Sequence, residues 1–335
     1  MSTACIETPY SRVKLHSQRL LVIAPQQPGQ PDELLVQIPL DGLERVVIRD
    51  QVLITTPAVC ELLRRGIPLH YLDGLGHPLG DCLPAQPPAA AARLRQYQRS
   101  LEPAFALAVA RRLIEAKIYN QHRVLQRLES NHALGLEHEL AQLSSAQAQA
   151  KHASSIETLR GVEGASTLLY FNLWARFLPA EFPFERRSAR PPLNPVNACI
   201  SFGATLIYQE LRAALHLCGL DPALGFLHVP QDGRASLALD LMEPFRPAVA
   251  EALTLRLLAL GQLRASDFEP SHGGIYLAGA GRKTFLTQYE QRLTREFLGE
   301  QAAHRTTLRQ QLRQSATALK SALSDPELFQ PFRLN

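Results

Sequence analysis

The first part of the chain alternates short apolar runs with turn-forming residues, which is typical of β-strands. The runs are rich in Val, Ile and Leu and are bounded by Pro, Gly or Asp. One segment, TPAVCELLRRG, instead predicts a short helix that Thr56 caps, Pro57 begins and Gly66 ends. We therefore predict a small β-rich domain over residues 1–86. Its predicted strands are RLLVIAP, DELLVQIPL, RVVIRD, VLIT and IPLHYLD, followed by turn residues from Gly74 to Gly80.

From Ala89 onward the apolar positions recur every three or four residues, which predicts helices. Pro84, Pro87 and Pro88 favour an extended linker, predicted over residues 87–95. The helical domain is predicted over residues 96–335. It includes a short strand or hairpin near IYLAG and a C-terminal arm, from Arg282, that is expected to fray at its end. Helical spacing runs through 91–129, 134–150, 152–178, 194–218, 236–261 and 283–324.

Together these patterns predict an α+β fold, with a small N-terminal β-rich domain followed by a larger all-α domain. The chain has 335 residues, of which 46% are hydrophobic and 20% charged, so two substantial cores in a soluble protein are expected. No apolar run reaches the roughly 18 residues that a membrane span needs. The N-terminus has no basic start followed by an apolar run, so we expect no signal peptide.

Cysteine usage and charge narrow the class of protein further. Five cysteines are scattered through the chain without a CxxC pair, which favours reduced thiols and a cytoplasmic location. The net charge is +4, but residues 1–86 carry 7 Lys or Arg against 9 Asp or Glu, whereas the remainder carries 28 against 22. The helical domain is therefore the positive one and would attract a polyanion, although charge alone is a weak indication of nucleic acid.

The segment from His228 to Pro247 concentrates metal-binding chemistry. Asp240 and Glu243 are three residues apart, so on a helix their side chains share a face, and His228 supplies an imidazole just upstream. Glu163, between two glycines in RGVEGAS, is a candidate third carboxylate. Carboxylates with one imidazole suit Mg²⁺ or Mn²⁺ better than Zn²⁺, and such sites commonly serve phosphoryl transfer.

Each of these residues also has a simpler interpretation. The two downstream carboxylates could lie on the polar edge of a buried helix, compensated by Arg234 or Arg246 instead of a metal. His228 could be a core or capping histidine, and Glu163 could be an exposed residue of an ordinary helix. The residues alone leave these alternatives open.

Arginines in the same domain are candidate contacts for a phosphate backbone. The run ERRSARPP places Arg186, Arg187 and Arg190 beside a proline-stiffened loop, and the guanidinium fork suits phosphate. Arg246 is a fourth candidate DNA contact; the simpler alternative is a solvated charged surface. The sequence contains no GxxxxGK[ST], GxGxxG or GxSxG pattern and no zinc-ribbon spacing of cysteines, so nothing else in it predicts a different chemistry.

Four segments, in order along residues 95–290, closely resemble the Cas1 family, the CRISPR-associated nucleases and integrases of spacer acquisition. The resemblance implies an N-terminal β-rich domain followed by an α-helical catalytic domain, although the N-terminal sequence is the weaker match. The matching segments are RGVEGAS, PPLNPVNACISFGATLIYQEL, GLDPALGFLH and RASLALDLMEPFRP.

The resemblance also implies roles for individual residues. It implies that Glu163, His228 and Glu243 are the metal ligands; some family members carry Asp at the last of these positions. Asp240 matches an acidic position beside the metal, where it would support the ion or a water molecule. Asn197 matches an asparagine with a structural or supporting role. The implied partners are DNA, a second copy of the chain bound through the β-rich domain, and the small ferredoxin-like protein Cas2, which together form a heterohexamer.

The implied reaction is the insertion of short prespacer DNA into a CRISPR array, by attack of its 3′-hydroxyl on a repeat phosphodiester. With water as the attacking group, the same site would nick DNA. Three alternatives are a related integrase or stand-alone nuclease on branched DNA, a non-catalytic DNA-binding scaffold, and a helical protein with buried ion pairs. The last explains each residue separately but not the order of the four segments.

Overall fold

The β-branched segments at the start of the chain form two four-stranded sheets in the first of two units, Met1–Gln86. The strands are β1 (Ser2–Ile6), β2 (Arg12–His16), β3 (Arg19–Ile23), β4 (Leu34–Pro39), β5 (Leu43–Arg49), β6 (Leu53–Ile54), β7 (Leu69–Leu72) and β8 (Pro78–Cys82). One sheet has the order β1-β5-β7-β8, with β8 antiparallel to β7 and the other pairs parallel; the other sheet has the order β4-β3-β2-β6. Val13, Leu20, Val46 and Leu69 are buried in the shared core of the two sheets.

The structure is a computed structural model, and it describes residues 2–25, 33–76, 78–85, 89–298 and 305–335. Of the predicted linker, Pro87 and Pro88 lie outside the described residues, and its last positions already belong to a helix that begins at Ala90. None of the helices within the described ranges is both long enough and apolar enough to cross a membrane.

All five predicted strands of the β-rich unit are present, whereas strands β1 and β2 were not predicted, and two further details differ from the prediction. The helix α1 (Thr56–Arg64) is preceded by Thr55 as its N-terminal flanking residue, one position before the predicted cap. Strand β8 includes Gly80, which was predicted as a turn residue. It forms the edge of its sheet, and an edge strand tolerates the missing N–H of Pro78 because that side needs no further partner.

Helices dominate the second unit, Pro87–Asn335, so the predicted α+β fold class is confirmed. The helices are α2 (Ala90–Ser100), α3 (Pro103–His132), α4 (Glu137–His152), α5 (Ile156–Trp174), α6 (Pro195–Cys218), α7 (Ser236–Met242), α8 (Ala252–Ala259), α9 (Gly279–Thr294) and α10 (Leu308–Ala322). A π-helical turn, Pro247–Glu251, leads into α8. The predicted hairpin near IYLAG is β9 (Phe268–Ser271) with β10 (Gly274–Leu277), and β11 (Glu296–Leu298) pairs with β12 (Arg305–Thr307).

Three of the predicted long helices are interrupted. The one predicted over 236–261 ends as α7 at Met242, and the π-helical turn Pro247–Glu251 precedes α8. The helix predicted over 91–129 breaks before Pro103, which cannot continue a helix but fits the first turn of α3. The helix predicted over 283–324 is interrupted by β11 and β12. Thr307 then starts α10 as a cap: its hydroxyl accepts a hydrogen bond from the backbone N–H of Gln310 at 3.2 Å, and the Gln310 side chain accepts one from the N–H of Thr307.

The packing of four helices sets up the region that contains the predicted site residues. Helix α3 packs against α5 and against the π-helical turn, while α6 packs against α7 and the same turn. At the contact of α6 with the turn, Gly203 has no room for a side chain, since an added Cβ would lie 3.0 Å from the Cβ of Ala250. The close approach holds α7 and the turn firmly over the middle of α6.

The C-terminal tail is ordered against the helices, contrary to the expected fraying. Phe332 is buried and its ring stacks on Phe245, with ring centroids 4.6 Å apart and planes 6° from parallel. The carboxamide of Asn120 on α3 donates to the carbonyls of Pro244 and Phe332 at 2.6 and 3.0 Å and accepts from the N–H of Leu334 at 2.7 Å. The tail therefore ties α3 to the segment that follows α7, because apolar residues after α10 outweigh the polar composition of the arm.

We expect Phe332→Ala to destabilise the helical unit by about 3 kcal/mol, because it removes a buried ring and leaves a cavity beside Phe245. The measurement is the free energy of unfolding from denaturant titration. Leu328→Ala is the matched control, since Leu328 is 60% exposed in the same tail. Equal effects of the two substitutions would contradict a packed role for the tail.

Candidate metal centre

Glu163 lies on α5, two turns into a helix with a well-defined start. Ser155 caps the helix by accepting a hydrogen bond from the N–H of Thr158 at 3.1 Å. An added Cβ at Gly161 or Gly164 would meet nothing within 4 Å, so the flanking glycines are not required by close packing. The carboxylate Oε1 of Glu163 accepts a hydrogen bond from the hydroxyl of Thr167 at 3.1 Å, which aims it toward α3.

Glu243 lies directly after α7, where it is almost fully buried. Its Oε1 accepts a hydrogen bond from Nη1 of Arg246 at 3.1 Å, and its Oε2 lies 2.6 Å from Nζ of Lys117 on α3. Oε2 accepts no well-aligned hydrogen bond, so the ammonium compensates it chiefly by charge.

Lys117 joins the two carboxylates. Its Nζ also forms a short ion pair with Oε1 of Glu163, and its side chain is only 5% exposed. Glu163 and Glu243 come from helices far apart in sequence, yet they converge on one buried ammonium. Sequence analysis gave Glu163 and Glu243 as candidate ligands of one metal ion but assigned no role at the site to Lys117.

The charges around Glu243 control its ionisation. Burial by itself would raise the pKa of Glu243, but Lys117 and then Arg246 favour the charged form and lower it to about 2. The pKa of Lys117 is raised: burial opposes its charge, and the carboxylates of Glu243 and Glu163 outweigh that effect. Both partners of this buried ion pair are therefore charged at neutral pH.

Asp240 is fully buried and organises the loop that precedes α7. Its Oδ2 accepts hydrogen bonds from the backbone N–H groups of Phe226 and Leu227 at 2.5 and 3.0 Å. Its Oδ1 accepts one from the N–H of His228 at 2.9 Å and contacts the ring Nδ1 of the same residue at 2.7 Å. Both carboxylate oxygens of Asp240 therefore already have partners within the protein. This arrangement suits a residue that positions His228 better than it suits a residue that binds an ion directly.

Gly225 makes this arrangement of the loop sterically possible. An added Cβ there would lie 2.6 Å from the carbonyl oxygen of His228 and 2.9 Å from Oδ2 of Asp240. Any side chain would therefore push the loop off the carboxylate. The loop is also fastened from α5, because Arg160 donates to the carbonyl of Leu227 at 2.8 Å.

His228 presents its second ring nitrogen away from Asp240. With Nδ1 held by the carboxylate, the tautomer that carries its proton on Nδ1 leaves the lone pair of Nε2 free for a ligand. The ring is partly exposed, and His228 is the last of the groups that lower the pKa of Glu243.

The three ligands implied by the family resemblance do not form a ready coordination shell. No three His, Cys, Asp or Glu side chains are grouped to hold a metal ion, as far as the described residues extend. The donor chemistry nevertheless fits a hard divalent ion, because two carboxylates already converge on a cation and one of their buried oxygens lacks a hydrogen bond. The ammonium of Lys117 occupies the space between them.

A second buried carboxylate lies behind Glu243. Arg246 stands between the two, with Nη1 on Glu243 and Nε 3.9 Å from Oε1 of Glu251 in the π-helical turn. Burial raises the pKa of Glu251, against the effect of Arg246 and Lys117. The pKa of Tyr170 on α5 is raised well above the usual range, first by burial and then by the charge of Glu251. Sequence analysis missed Tyr170 and Glu251.

The four arginines predicted to contact DNA differ in their surroundings. Arg187 is largely buried and donates to Asn197 at 2.8 Å and to Ser201 at 2.9 Å. Burial lowers the pKa of Arg187 to about 10, and Arg246 adds to the effect. Arg246 is itself held by two carboxylates, whereas Arg186 and Arg190 are exposed. Arg187 and Arg246 therefore have internal partners that the exposed pair lacks, and a DNA contact remains a prediction for all four arginines.

Asn197 is buried at the start of α6 and holds the arginine-rich loop in place. Its Oδ1 accepts from the N–H of Ser188 at 2.9 Å as well as from Arg187, and its Nδ2 donates to the carbonyl of Arg186 at 2.9 Å. The side chain of Asn194 caps the same helix by accepting from the N–H of Asn197 at 2.8 Å. This geometry matches the supporting role expected for Asn197.

Lys117 is the main site residue that sequence analysis undervalued. The signal was its position on the apolar face of α3, one turn after Leu113 and one turn before Gln121, all three of which are buried. A lysine on a buried helical face needs an acidic partner, which the sequence pattern indicates without saying where that partner lies.

Comparison with known proteins identifies similar chains. The family model described as CRISPR associated protein Cas1 matches residues 4–291. CRISPR-associated endonuclease Cas1 3 of Thermus thermophilus is 36% identical over 304 residues, which cover 90% of this chain and 89% of that protein. Among solved structures, a casposase bound to integration product has a TM-score of 0.84 at 20% identity and covers 97% of this chain and 91% of its own. A partial Cas6-RT-Cas1–Cas2 complex has a TM-score of 0.69 at 28% identity, with full coverage of both chains.

The depressed pKa of Glu243 predicts how stability depends on pH. A carboxyl with a pKa of about 2 in the folded state and an ordinary value of 4.5 contributes stability that is present above pH 4.5. It is lost as the pH falls toward 2. The difference in free energy of unfolding between the wild type and Glu243→Gln should therefore shrink by up to about 3 kcal/mol over that window.

Denaturant titrations at pH 7, 5, 4 and 3 measure this difference; Glu137→Gln, at an exposed carboxylate on α4, controls for the loss of one negative charge. A difference that stays constant from pH 7 to 3 would contradict the ion pair of Glu243 with Lys117.

Proposed function

Because the chain belongs to the Cas1 family of CRISPR-associated proteins, we propose that it is a divalent-metal-dependent DNA endonuclease and integrase of CRISPR adaptation. Its substrates are a short prespacer duplex with free 3′-hydroxyls and the leader-proximal repeat of a CRISPR array. The observation that carries the proposal is the convergence of Glu163 and Glu243, from α5 and the end of α7, on one buried cation. Hard oxygen donors gathered around a positive charge suit phosphoryl transfer.

Glu163, Glu243 and His228 are the proposed metal ligands, and Mg²⁺ or Mn²⁺ is the proposed ion. When bound, the ion would polarise the phosphate under attack and stabilise charge on the attacking and leaving oxygens. Asp240 orients the imidazole of His228 through Nδ1 so that Nε2 faces the reacting groups. Arg246 holds one oxygen of Glu243 and leaves the other for the site.

The proposed reaction exchanges one phosphodiester bond for another. The 3′-oxygen of the prespacer bonds to the repeat phosphorus, the bond from that phosphorus to its original 3′-oxygen breaks, and the released hydroxyl takes up the proton. The number of phosphodiester bonds is unchanged, so no external energy source is required. When water attacks instead, the same site nicks DNA.

The proposed partners follow from the family and from the solved relatives. A chain of 28% identity and full coverage occurs in a complex with Cas2, which supports Cas2 as a partner of this protein. We propose that two copies pair through the β-rich unit, and that two such dimers bind a Cas2 dimer. The exposed edge strand β4, with Leu34, Leu35 and Val36 open to solvent, supports pairing through this unit.

Strand transfer is the direct test of the function. Purified protein and its Cas2 partner are mixed with a labelled short duplex and a supercoiled plasmid that carries leader and repeat. We expect label to enter the plasmid with Mg²⁺ or Mn²⁺, and the rate to fall at least about a hundredfold with EDTA, Glu163→Ala or Glu243→Ala. Glu137→Ala is the control and should leave joining intact.

Other outcomes separate the alternatives. Metal-dependent nicking without joining would replace the integrase by a stand-alone nuclease. Tight DNA binding with neither activity would indicate a scaffold, and normal joining by both alanine variants would remove the carboxylates from the chemistry.

Exposed arginines of the loop are the proposed DNA backbone contacts. We expect the double substitution Arg186→Ala with Arg190→Ala to weaken binding of a short duplex, and to lower the slope of log affinity against log salt by about 2, since each phosphate contact releases about one counterion. The control is Arg64→Ala with Arg305→Ala, which removes two exposed arginines elsewhere. The same loss of slope in both double variants would mean that overall charge, and not this loop, determines binding.

A further inference from the structure

Lys117 occupies the position between the two proposed carboxylate ligands, which raises the question of what it does when an ion binds. We propose that Lys117 is an internal cation: its ammonium holds Glu163 and Glu243 together in the metal-free protein and is displaced when the divalent ion enters. The inference rests on the proposed function, because it concerns how that metal site is loaded.

The metal-free site needs such a cation. Two carboxylates that face each other inside a protein repel strongly, and one of them would have to take up a proton or swing away. Nζ of Lys117 contacts Oε1 of Glu163 and lies 2.6 Å from Oε2 of Glu243, so one positive charge serves both. The ammonium thereby keeps the two acidic side chains in place without an ion.

Lys117 cannot stay in this position when both carboxylates bind a metal. Oxygen ligands lie about 2.0 to 2.6 Å from hard divalent ions such as Mg²⁺ and Ca²⁺. An ion bound by Oε1 of Glu163 and Oε2 of Glu243 would therefore occupy the same position as the ammonium. Two cations that close together repel each other strongly in a buried site. Binding of the ion and retention of the Lys117 contacts therefore exclude each other.

The surroundings allow the lysine to leave without loss of the site. The side chain of Glu163 is 28% exposed, so that side of the ion pair opens toward solvent, whereas the side chain of Glu243 is 6% exposed. Glu243 remains fixed because Arg246 holds its other oxygen at 3.1 Å. Thr167 similarly holds Oε1 of Glu163 at 3.1 Å. Both carboxylates thus keep a second partner after Lys117 moves.

A purely structural lysine predicts a different behaviour toward metal. If Lys117 only stabilised the fold, its removal would destabilise the protein equally with and without an ion. If Lys117 competes with the metal, its removal should have two opposite effects. It should destabilise the metal-free protein and tighten the binding of the metal. The metal response therefore separates the two roles without any activity measurement.

The experiment compares the wild type with Lys117→Met, Lys117→Arg and the control Lys320→Met. Lys320 also makes a buried contact, with the carbonyl of Cys218 at 2.6 Å, but contacts neither Glu163 nor Glu243. Binding of Mn²⁺ alone is measured by electron paramagnetic resonance of the free ion, and the melting temperature is recorded in EDTA and in excess Mn²⁺.

We expect Lys117→Met to lower the melting temperature in EDTA by about 5 °C or more, because it removes the cation that lies between the buried Glu243 and the partly exposed Glu163. We expect it to bind Mn²⁺ at least about tenfold more tightly than the wild type, and to gain more thermal stability from the ion. Lys117→Arg keeps the charge and should remain close to the wild type in Mn²⁺ affinity. Lys320→Met should leave the affinity unchanged.

If Lys117→Met fails to fold, a second measurement can be made on the wild-type protein. Reaction with an amine-acylating reagent, followed by peptide mass spectrometry, reports the accessibility of the Lys117 amine. We expect Mn²⁺ to increase labelling of Lys117 and to leave labelling of Lys320 unchanged. Glu163→Gln removes one proposed ligand and should suppress the increase.

Two results would overturn the inference. Unchanged or weaker Mn²⁺ binding by Lys117→Met, or Lys117 labelling that is insensitive to Mn²⁺, would refute displacement while leaving the proposed metal site intact. No Mn²⁺ binding by the wild type or any variant would overturn both the inference and the proposed metal-dependent function.

Discussion

Three carboxylates buried on one stretch of chain, from α7 through the π-helical turn, constrain everything around them, because an uncompensated buried charge costs several kcal/mol. The protein compensates each in a different way. Asp240 is stabilised by three backbone N–H groups and one imidazole. Glu243 is held by two cations, and the pKa of Glu251 is raised by burial. The groups that compensate each carboxylate come from a different part of the chain.

These compensating contacts position the helices. Asp240 can gather backbone N–H groups only because Gly225 lets the preceding loop fold tightly over it. Lys117 fixes α3 against α5 and against the end of α7, and Asn120, one turn further along α3, ties the same segment to the C-terminal tail. Ion pairs, hydrogen bonds and apolar packing therefore all hold α3 against the segment that follows α7.

The same constraint gives the site its chemistry. Glu243 already carries its full charge at neutral pH, so no proton has to leave it before a cation binds. The ring of His228 is oriented by the carboxylate of Asp240, which three backbone N–H groups hold in place. In a Cas1-family protein, which is proposed to exchange one phosphodiester bond for another, such prepared charges lower the reorganisation that accompanies the reaction.

The sequence by itself determined the fold class and most element positions, because apolar periodicity and turn residues are local properties. It also gave Glu163, Asp240 and Glu243 as candidate site residues, which stay predictions. The elements that depend on contacts between residues far apart in sequence were predicted wrongly. The break at β11 and β12, the packed tail and the edge strand β8 follow from pairing partners that periodicity does not reveal. Only the tertiary structure placed Lys117 between Glu163 and Glu243 and gave Arg187 and Arg246 internal partners, because electrostatic compensation depends on distance in space, and residues of equal charge look alike along a sequence.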